Sequence, residues 1–481
     1  RAADGTPLAT TVMRPWWRPG PMPTLLIRTP YGRAGIGRGY ARRGYAVVVQ
    51  DMRGRHDSGG EFQPYTRDTD DASTTLDWIV AQPWSNGKVG TVGCSALGES
   101  QLGLARRRHP AHRAMIAEGA GGGVGSAGDR HAYFGVYESG VFQLASAFGW
   151  MVRQGEKKPT TLTMDPEAIG RAVRELPVLG MAERNRPVPT DFDLLRTLPL
   201  GDPRWSSMGY LSDDDRFATP GLHVNGWYDQ GVSETLLAAD LMRRHAVDER
   251  AKIQPVIIGP GLHCVDPGPA RGKVGDIEYE NADQPFTGTY LRWLAAWLED
   301  DAKGFSDLPP YQVFVLNENR WLSSQTWPPQ GTRVQRWHLD GAGAANTRMG
   351  DGRLVRAPPQ TTALADRFVS DPANPVPTRG GAFCCTGDDR AREGPVDQVD
   401  VETRPDVLVY TSEPLPAPLR IVGPLSAVLE VSTDAPDADF VVKLVDVRPD
   451  GRALNIQSGV LRLRYRDSFV APTRSEERRV G

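Results

Sequence analysis

The segment TVGCSALGES, residues 91 to 100, sets Ser95 between Gly93 and Gly98. A serine hydroxyl is a weak nucleophile until an adjacent base takes its proton and a third group orients that base. Small flanking residues suit a sharp strand-to-helix turn that lifts a nucleophile out of a crowded backbone, in the general form G-x-S-x-G. Here the second glycine stands one place late, in Gly93-Cys94-Ser95-Ala96-Leu97-Gly98. On pattern alone a nucleophile elbow competes with a plain structural turn.

An elbow of this kind predicts its partners. They follow in the order Ser, Asp, His, each in a loop beyond the C-terminal end of a later strand. The strand-like GLHVNGW runs into Tyr228-Asp229, and PVIIGP runs into a loop carrying His263. Asp240 and Asp266 are the weaker acidic alternatives. Of the eight histidines, His109 and His112 flank the end of the elbow helix, His223 lies within a strand, His245 at a helix end and His338 in the last third of the chain. His56 and His131 have a poorer loop context than His263.

The elements that must hold these residues alternate. PTLLIRTPY (23 to 31) and YAVVVQDMRG (45 to 54) read as buried strands, and the period then changes to a helix over 68 to 82, with Ala72, Leu76, Ile79 and Val80 on one face. KVGTVGC (88 to 94), ESQLGLARRR (99 to 108) and HRAMIAEG (112 to 119) give strand, helix, strand. From 121 to 218 helical segments such as 133 to 148 and 163 to 176 dominate without a convincing strand. Alternation resumes with strands at 221 to 229, 254 to 263 and 310 to 321, and helices at 233 to 245 and 286 to 301. Such alternation predicts a mostly parallel sheet covered on both faces. Beyond about residue 332 short strands at 334 to 341, 406 to 412, 425 to 433, 439 to 448 and 459 to 469, separated by Pro, Gly and Asp turns, predict an antiparallel β-sandwich.

Composition narrows the function. With 56 basic and 59 acidic side chains in 481 residues the net charge is −3, which gives no global attraction to nucleic acid or to an anionic membrane. No apolar run approaches the roughly 18 residues of a membrane span. The expected location is cytoplasmic, with processing before Arg1 left open. Cys94, Cys264, Cys384 and Cys385 match no zinc spacing, and the expectation is that they are reduced or inert. GRAGIGRG (32 to 39) lacks the lysine of a phosphate-binding loop, so nucleotide binding is a weak reading.

A set of segments carries a resemblance: RTPYGR (28 to 33), VVVQDMRGRHDSGGEF (47 to 62), DWIVAQPWSNGKVGTVGCSALG (77 to 98), NGWYDQ (225 to 230), GPGLH (259 to 263) and WLSSQTWPP (321 to 329). Together they resemble the CocE/NonD serine hydrolases, relatives of X-Pro dipeptidyl-peptidases and α-amino acid ester hydrolases. The segments 404 to 415 and 439 to 451 are similar to the jelly-roll domain of that family. The resemblance implies an α/β-hydrolase fold with an inserted helical cap and a C-terminal jelly-roll β-sandwich. The expected domains are a hydrolase core at 1 to 120 and 219 to 330, a cap at 121 to 218, and a jelly roll at 331 to 481 that stops before the family's last strands, so further sequence is expected beyond Gly481.

Carried over by motif, the resemblance implies Ser95 as nucleophile, Asp229 as orienting acid and His263 as base, with Tyr31 and the N–H of Ala96 as oxyanion hole. It also shows departures: Ala96 stands where the family often has tyrosine or another large residue, and Gly261 where it usually has tryptophan before the histidine, which implies a wider or differently shaped pocket. The function expected is hydrolysis of a small-molecule carboxylic ester through an acyl-serine, with no cofactor and no metal. Amide or X-Pro peptide hydrolysis is the alternative, and it needs a carboxylate such as Glu138 for the substrate amine. A non-catalytic glycan- or protein-binding role is the distant one, and a homo-oligomer stays open. Tyr133, Phe134, Tyr137, Phe142, Phe148 and Trp150 either line the acyl pocket or form the core of the cap.

Overall fold

The computed structural model describes residues 1–264, 273–301, 305, 307–359 and 364–473. Its centre is a nine-stranded sheet formed by β1 (Thr10–Met13), β2 (Met22–Thr29), β3 (Ala46–Asp51), β4 (Ser85–Cys94), β5 (His112–Glu118), β6 (Gly221–Tyr228), β7 (Val256–Leu262), β8 (Tyr311–Val315) and β9 (Arg320–Ser324). The order is β1-β3-β2-β4-β5-β6-β7-β8-β9. From β3 to β8 every neighbouring pair is parallel, and only the edge strands β1 and β9 run antiparallel to their partners.

The strands are apolar because helices cover both faces. Every residue of β2 and β3 is buried. Their alternate side chains serve opposite layers. Leu26 and Val48 pack with Ala72, Leu76 and Ile79 of α1 (Asp68–Val80), whereas Leu25, Val47 and Val49 pack with Trp293, Leu294 and Leu298 on the other side. The elbow helix α2 (Ala96–Ala105) shares the α1 face with the later helix Val232–Arg244, whose Ala238, Leu241 and Met242 meet Leu102 and Met115. One indole N–H, from Trp293 in the helix Phe286–Leu298, donates to the Met115 carbonyl at 3.0 Å, so even the polar edge of that large ring is satisfied.

Three expectations change here. The stretch expected as one strand from 310 to 321 is a hairpin, β8 and β9, turned by Asn319 in the left-handed region. The helix expected over 133 to 148 begins only at Leu144 and runs to Gln154; before it Tyr137–Glu138 and Val141–Phe142 form a short antiparallel pair. Tyr133, Phe134, Ser139, Gly135 and Gly140 all have positive φ, a backbone that no right-handed helix accommodates. The helix expected at 163 to 176 narrows to Pro166–Ala172, where the Asp165 side chain accepts from the Ala168 N–H at 2.7 Å and Pro166 takes the first turn.

The segment 121–218 packs a large aromatic cluster of its own. Tyr133 stacks on Trp205 with centroids 4.1 Å apart, Phe148 meets Phe192 edge-on, and Met52, Phe62 and Tyr65 from the loops after β3 join the same buried group. In the last third, among the described residues, the ladders are two antiparallel pairs, His338–Asp340 with Arg353–Val355 and Asp439–Val447 with Ala453–Arg462. The segment 406–412 joins only through isolated bridges, and 425–433 carries no ladder, its Val428 standing 94% exposed. Residues 474–481, the end of the segment expected as a jelly roll, lie outside the described ones. Among the described residues no helix is long and apolar enough to cross a membrane.

Leu76 is fully buried between α1 and the sheet. Leu76→Ala is expected to cost about 2–5 kcal/mol, read as a lower melting temperature with the far-ultraviolet dichroism of the folded protein unchanged.

Candidate active site

The sheet places four of the residues singled out from sequence at the same edge. Tyr31 follows β2, Ser95 follows β4, Asp229 follows β6 and His263 follows β7, all beyond the C-terminal ends of parallel strands. That edge is where an open α/β sheet leaves room for a ligand.

Ser95 sits at the junction of β4 and α2 with φ 60° and ψ −133°. This backbone is strained for any residue other than glycine, by about 1–3 kcal/mol, and is kept only where its surroundings over-determine it. They do: the Ser95 N–H donates to the Glu118 carbonyl at 3.0 Å, and its own carbonyl accepts from Gly98 and Glu99 at 2.7 and 2.8 Å. The late glycine now has a reason. A Cβ on Gly98 would lie 2.6 Å from the Glu118 oxygen and 3.0 Å from that of Gly93, so the helix can approach strand β5 only without one. Ala96 opens α2, and an N–H in the first turn has no acceptor within its own helix.

Asp229 is 1% exposed, and both its oxygens are engaged: Oδ1 accepts from the Gly231 N–H at 2.6 Å, and Oδ2 pairs with His263 Nδ1 at 2.5 Å. The buried Nε2 of His263 has no hydrogen-bond partner among the described residues. Burial pulls the imidazolium down, yet the charge and hydrogen bond of Asp229 outweigh it, and the net result is a pKa raised above the ordinary 6.5. Gly119 lies beneath: the position of a Cβ there falls 3.2 Å from both Asp229 Oδ2 and His263 Nδ1, with φ at +49°.

The Tyr31 hydroxyl accepts from the Trp150 indole N–H at 3.1 Å and hydrogen-bonds with the Ser95 side chain. Burial pushes the phenol up, so it stays a proton donor. Because Trp150 fills a lone pair of the oxygen, the phenolic hydrogen is left for Ser95 or for an oxygen beside it. Arg55 locks the same segment from below, donating from Nε to the Pro30 carbonyl at 2.9 Å and pairing with Glu156 at 2.9 Å just past the helix Leu144–Gln154.

The other histidines have structural partners. His112 is buried against Thr91 at 2.9 Å and its pKa falls to about 3; His223 is buried against Gln254 at 2.8 Å and falls to about 4. His56 faces the Pro30 carbonyl, His109 pairs with Asp77, His131 stacks on Phe469, His245 contacts the Asp215 carbonyl and His338 lies in a β pair. Asp240 is held by Arg244 on a helix surface, and Asp266 lies outside the described residues.

Three features escaped the sequence reading. Glu99, one helical turn after Ser95, is buried near His263 and Asp229, and burial raises its pKa to about 8, so it carries a proton at neutral pH. Its signal was the four-residue spacing. Glu393, raised to about 7 by burial, also senses His263 and Asp229 from far along the chain, with no local signal. The third is a correction. The cysteines expected to be reduced are paired, Cys94 with Cys264 across 170 residues and Cys384 with Cys385. Sequence distance hid the first pair, since only the converging strand ends bring its Cα atoms to 5.8 Å.

Against known proteins, residues 4–265 match the model of the X-Pro dipeptidyl-peptidase S15 family, and 303–476 match the model of the X-Pro dipeptidyl-peptidase C-terminal non-catalytic domain. The chain belongs to the S15 family. It is 32% identical to the cocaine esterase of a Rhodococcus species, over 98% of this chain and 83% of that one. Among solved structures it is similar to an aminopeptidase from a marine-sediment Thaumarchaeota archaeon, with TM-score 0.75, and to an α-amino acid ester hydrolase, with TM-score 0.73. Each is 24% identical, with 98% of this chain and 82% of the other covered. The CocE/NonD resemblance read from the motifs is thereby established, and the chain is a serine hydrolase of α/β-hydrolase fold with a C-terminal domain.

Two measurements probe this geometry. Trp150→Phe keeps the ring but removes the donor to Tyr31, and kcat is expected to fall about tenfold with KM nearly unchanged. The pH profile of kcat/KM is expected to lose activity on the acid side with an inflection above 6.5, because a base must be unprotonated. Glu393→Gln removes a carboxylate that favours the imidazolium, so that inflection is expected to move to lower pH.

Proposed function

We propose that this S15-family chain hydrolyses a carboxylic ester through an acyl-serine intermediate on Ser95. The observation that carries the reading is the buried Asp229–His263 contact set at the same sheet edge as the strained Ser95. His263 Nε2 removes the Ser95 proton as Oγ attacks the ester carbonyl. Asp229 holds the ring with Nδ1 protonated and stabilises the imidazolium that forms. The Tyr31 hydroxyl and the Ala96 N–H receive the developing oxyanion, and losing one such donor costs about 10²–10³ in kcat. The imidazolium then protonates the departing alcohol. In the second half-reaction His263 activates water against the acyl-serine, and the acid leaves.

The reading extends to the architecture. We assign the hydrolase core to 1–120 and 219–330, a cap to 121–218 and a sandwich-type C-terminal domain to 331–481. The cap's aromatic residues serve two purposes. Tyr133, Tyr137 and Phe148 are buried among their own neighbours, whereas Trp150 reaches Tyr31 and meets Phe134 with centroids 4.7 Å apart. An apolar acyl group is the substrate chemistry this wall favours, and the cocaine esterase relative supports an ester. Glu138, the carboxylate an amine-bearing substrate would call on, is held by Gln143 at 3.0 Å, and burial lifts its pKa to about 7. A carboxyl that is in part protonated and already bonded is a weak anchor for an ammonium, which favours ester over X-Pro peptide.

The test pairs a serine-directed phosphonate with two chromogenic substrates. Ser95 is expected to be labelled in the folded protein, Ser95→Ala to lose labelling and hydrolysis, and p-nitrophenyl acyl esters to be cleaved far faster than an X-Pro-p-nitroanilide. Labelling at another residue sinks the nucleophile assignment; preferential cleavage of the anilide reverses the substrate class.

A further inference from the structure

Cys94 immediately precedes Ser95, and Cys264 immediately follows His263. Their disulfide therefore ties the residue before the proposed nucleophile to the residue after the proposed base. Unusual backbone stands beside one end of the tie and at the other, with φ at 60° for Ser95, next to Cys94, and 54° for Cys264. Such conformations persist only under strong constraint from around them.

A second observation puts the bridge inside the site. The Cβ position of Gly119 lies 3.1 Å from Cys94 Sγ and 3.2 Å from both Asp229 Oδ2 and His263 Nδ1. The sulfur thus shares one small volume with the carboxylate–imidazole pair. The hydrogen bonds at the site leave a gap that the bridge fills. Asp229 fixes the Nδ1 side of the ring, Ser95 is hydrogen-bonded to Tyr31, and His263 Nε2 has no partner among the described residues. No hydrogen bond of the resting site joins the serine to the imidazole, so their separation is set by the main chain on either side, and the disulfide fastens those two main-chain segments together.

We infer that the Cys94–Cys264 bridge is a positioning element for acyl transfer: it holds the end of β4 and the loop after β7 at the separation proton transfer from Ser95 to His263 requires. The inference rests on the assignment of Ser95 and His263 made above. Opening the bridge leaves both side chains present and loosens the distance between them. Proton transfer demands hydrogen-bond reach, and misplacement on the ångström scale costs about 10²-fold in rate. Cys264 is exposed, so a small dithiol reaches it. Its thiolate attacks one sulfur to form a mixed disulfide; the second thiol of the reagent displaces the remaining cysteine. The products are two cysteine thiols and the oxidised cyclic reagent.

The experiment uses the full chain with and without dithiothreitol, and the Cys94→Ala/Cys264→Ala variant, with kcat counted per Ser95 labelled by phosphonate. On reduction kcat for a p-nitrophenyl ester is expected to fall about 10- to 100-fold while KM changes by less than about twofold, and reoxidation restores the rate. Cys384→Ala/Cys385→Ala, which removes two sulfurs within 4.8 Å of a His263 ring nitrogen, is expected to show the same fold-loss of kcat on reduction, which assigns the effect to Cys94 and Cys264. A kcat per labelled serine that is unchanged or higher after reduction overturns the inference, even where the melting temperature drops, because that is what a merely structural bridge gives. If the double variant does not fold, reduction of the native chain at a temperature where its dichroism is unchanged decides. A failure of Ser95 to label in the oxidised enzyme instead overturns the nucleophile assignment and this inference with it.

Discussion

The contact on which the site depends is the 2.5 Å pairing of Asp229 Oδ2 with His263 Nδ1. A carboxylate that is 1% exposed costs a great deal to bury unless its charge is answered. One oxygen is answered by the Gly231 N–H and the other by the imidazole. The arrangement orients the ring without consuming Nε2, and it raises the affinity of that nitrogen for a proton. Around it the surroundings are tailored for size as well as charge. Gly119 leaves no side chain between the pair and β5, and Glu99, close by and deeply buried, holds a proton and so adds no second negative charge at neutral pH.

The parallel sheet is what brings such distant residues together. Ser95, Asp229 and His263 are separated by long stretches of sequence, yet each stands one residue beyond a parallel strand. Tyr31 stands two beyond another. A strand run such as AVVVQD, buried on every residue, reports both a central position and helices on either face. The strain at Ser95 is then supported by backbone hydrogen bonds and by the close approach of Gly98 to Glu118.

Much of this was legible in the sequence, for physical reasons that also mark where legibility ends. Strand runs and helix periodicity located the core of the sheet because burial imposes period and composition together. The order Ser, Asp, His followed from topology, and the late glycine read as a weakness turned out to be a packing requirement. What could not be read depends on contacts between remote segments. The left-handed residues at Tyr133, Phe134 and Ser139 broke a helix that hydrophobic spacing predicted, since spacing carries no record of φ. Val428 and its neighbours have strand-like composition but carry no ladder, because a strand exists only by virtue of a partner. Glu393, Trp150 as the donor to Tyr31, and the Cys94–Cys264 bridge join positions far apart in the chain. The C-terminal region also reaches this assembly: Arg153 of the helix Leu144–Gln154 donates to the Cys385 carbonyl at 2.8 Å.

In the proposed reaction the ester's acyl group passes through Ser95. Acid-quenching the protein within its first turnovers of a p-nitrophenyl ester, followed by peptide mapping by mass spectrometry, tests it most directly. An acyl adduct is expected on the peptide containing Ser95, its formation matched by a burst of one p-nitrophenol per active chain. An adduct on a different residue, or a Ser95→Ala protein that releases p-nitrophenol at the native rate, would contradict it.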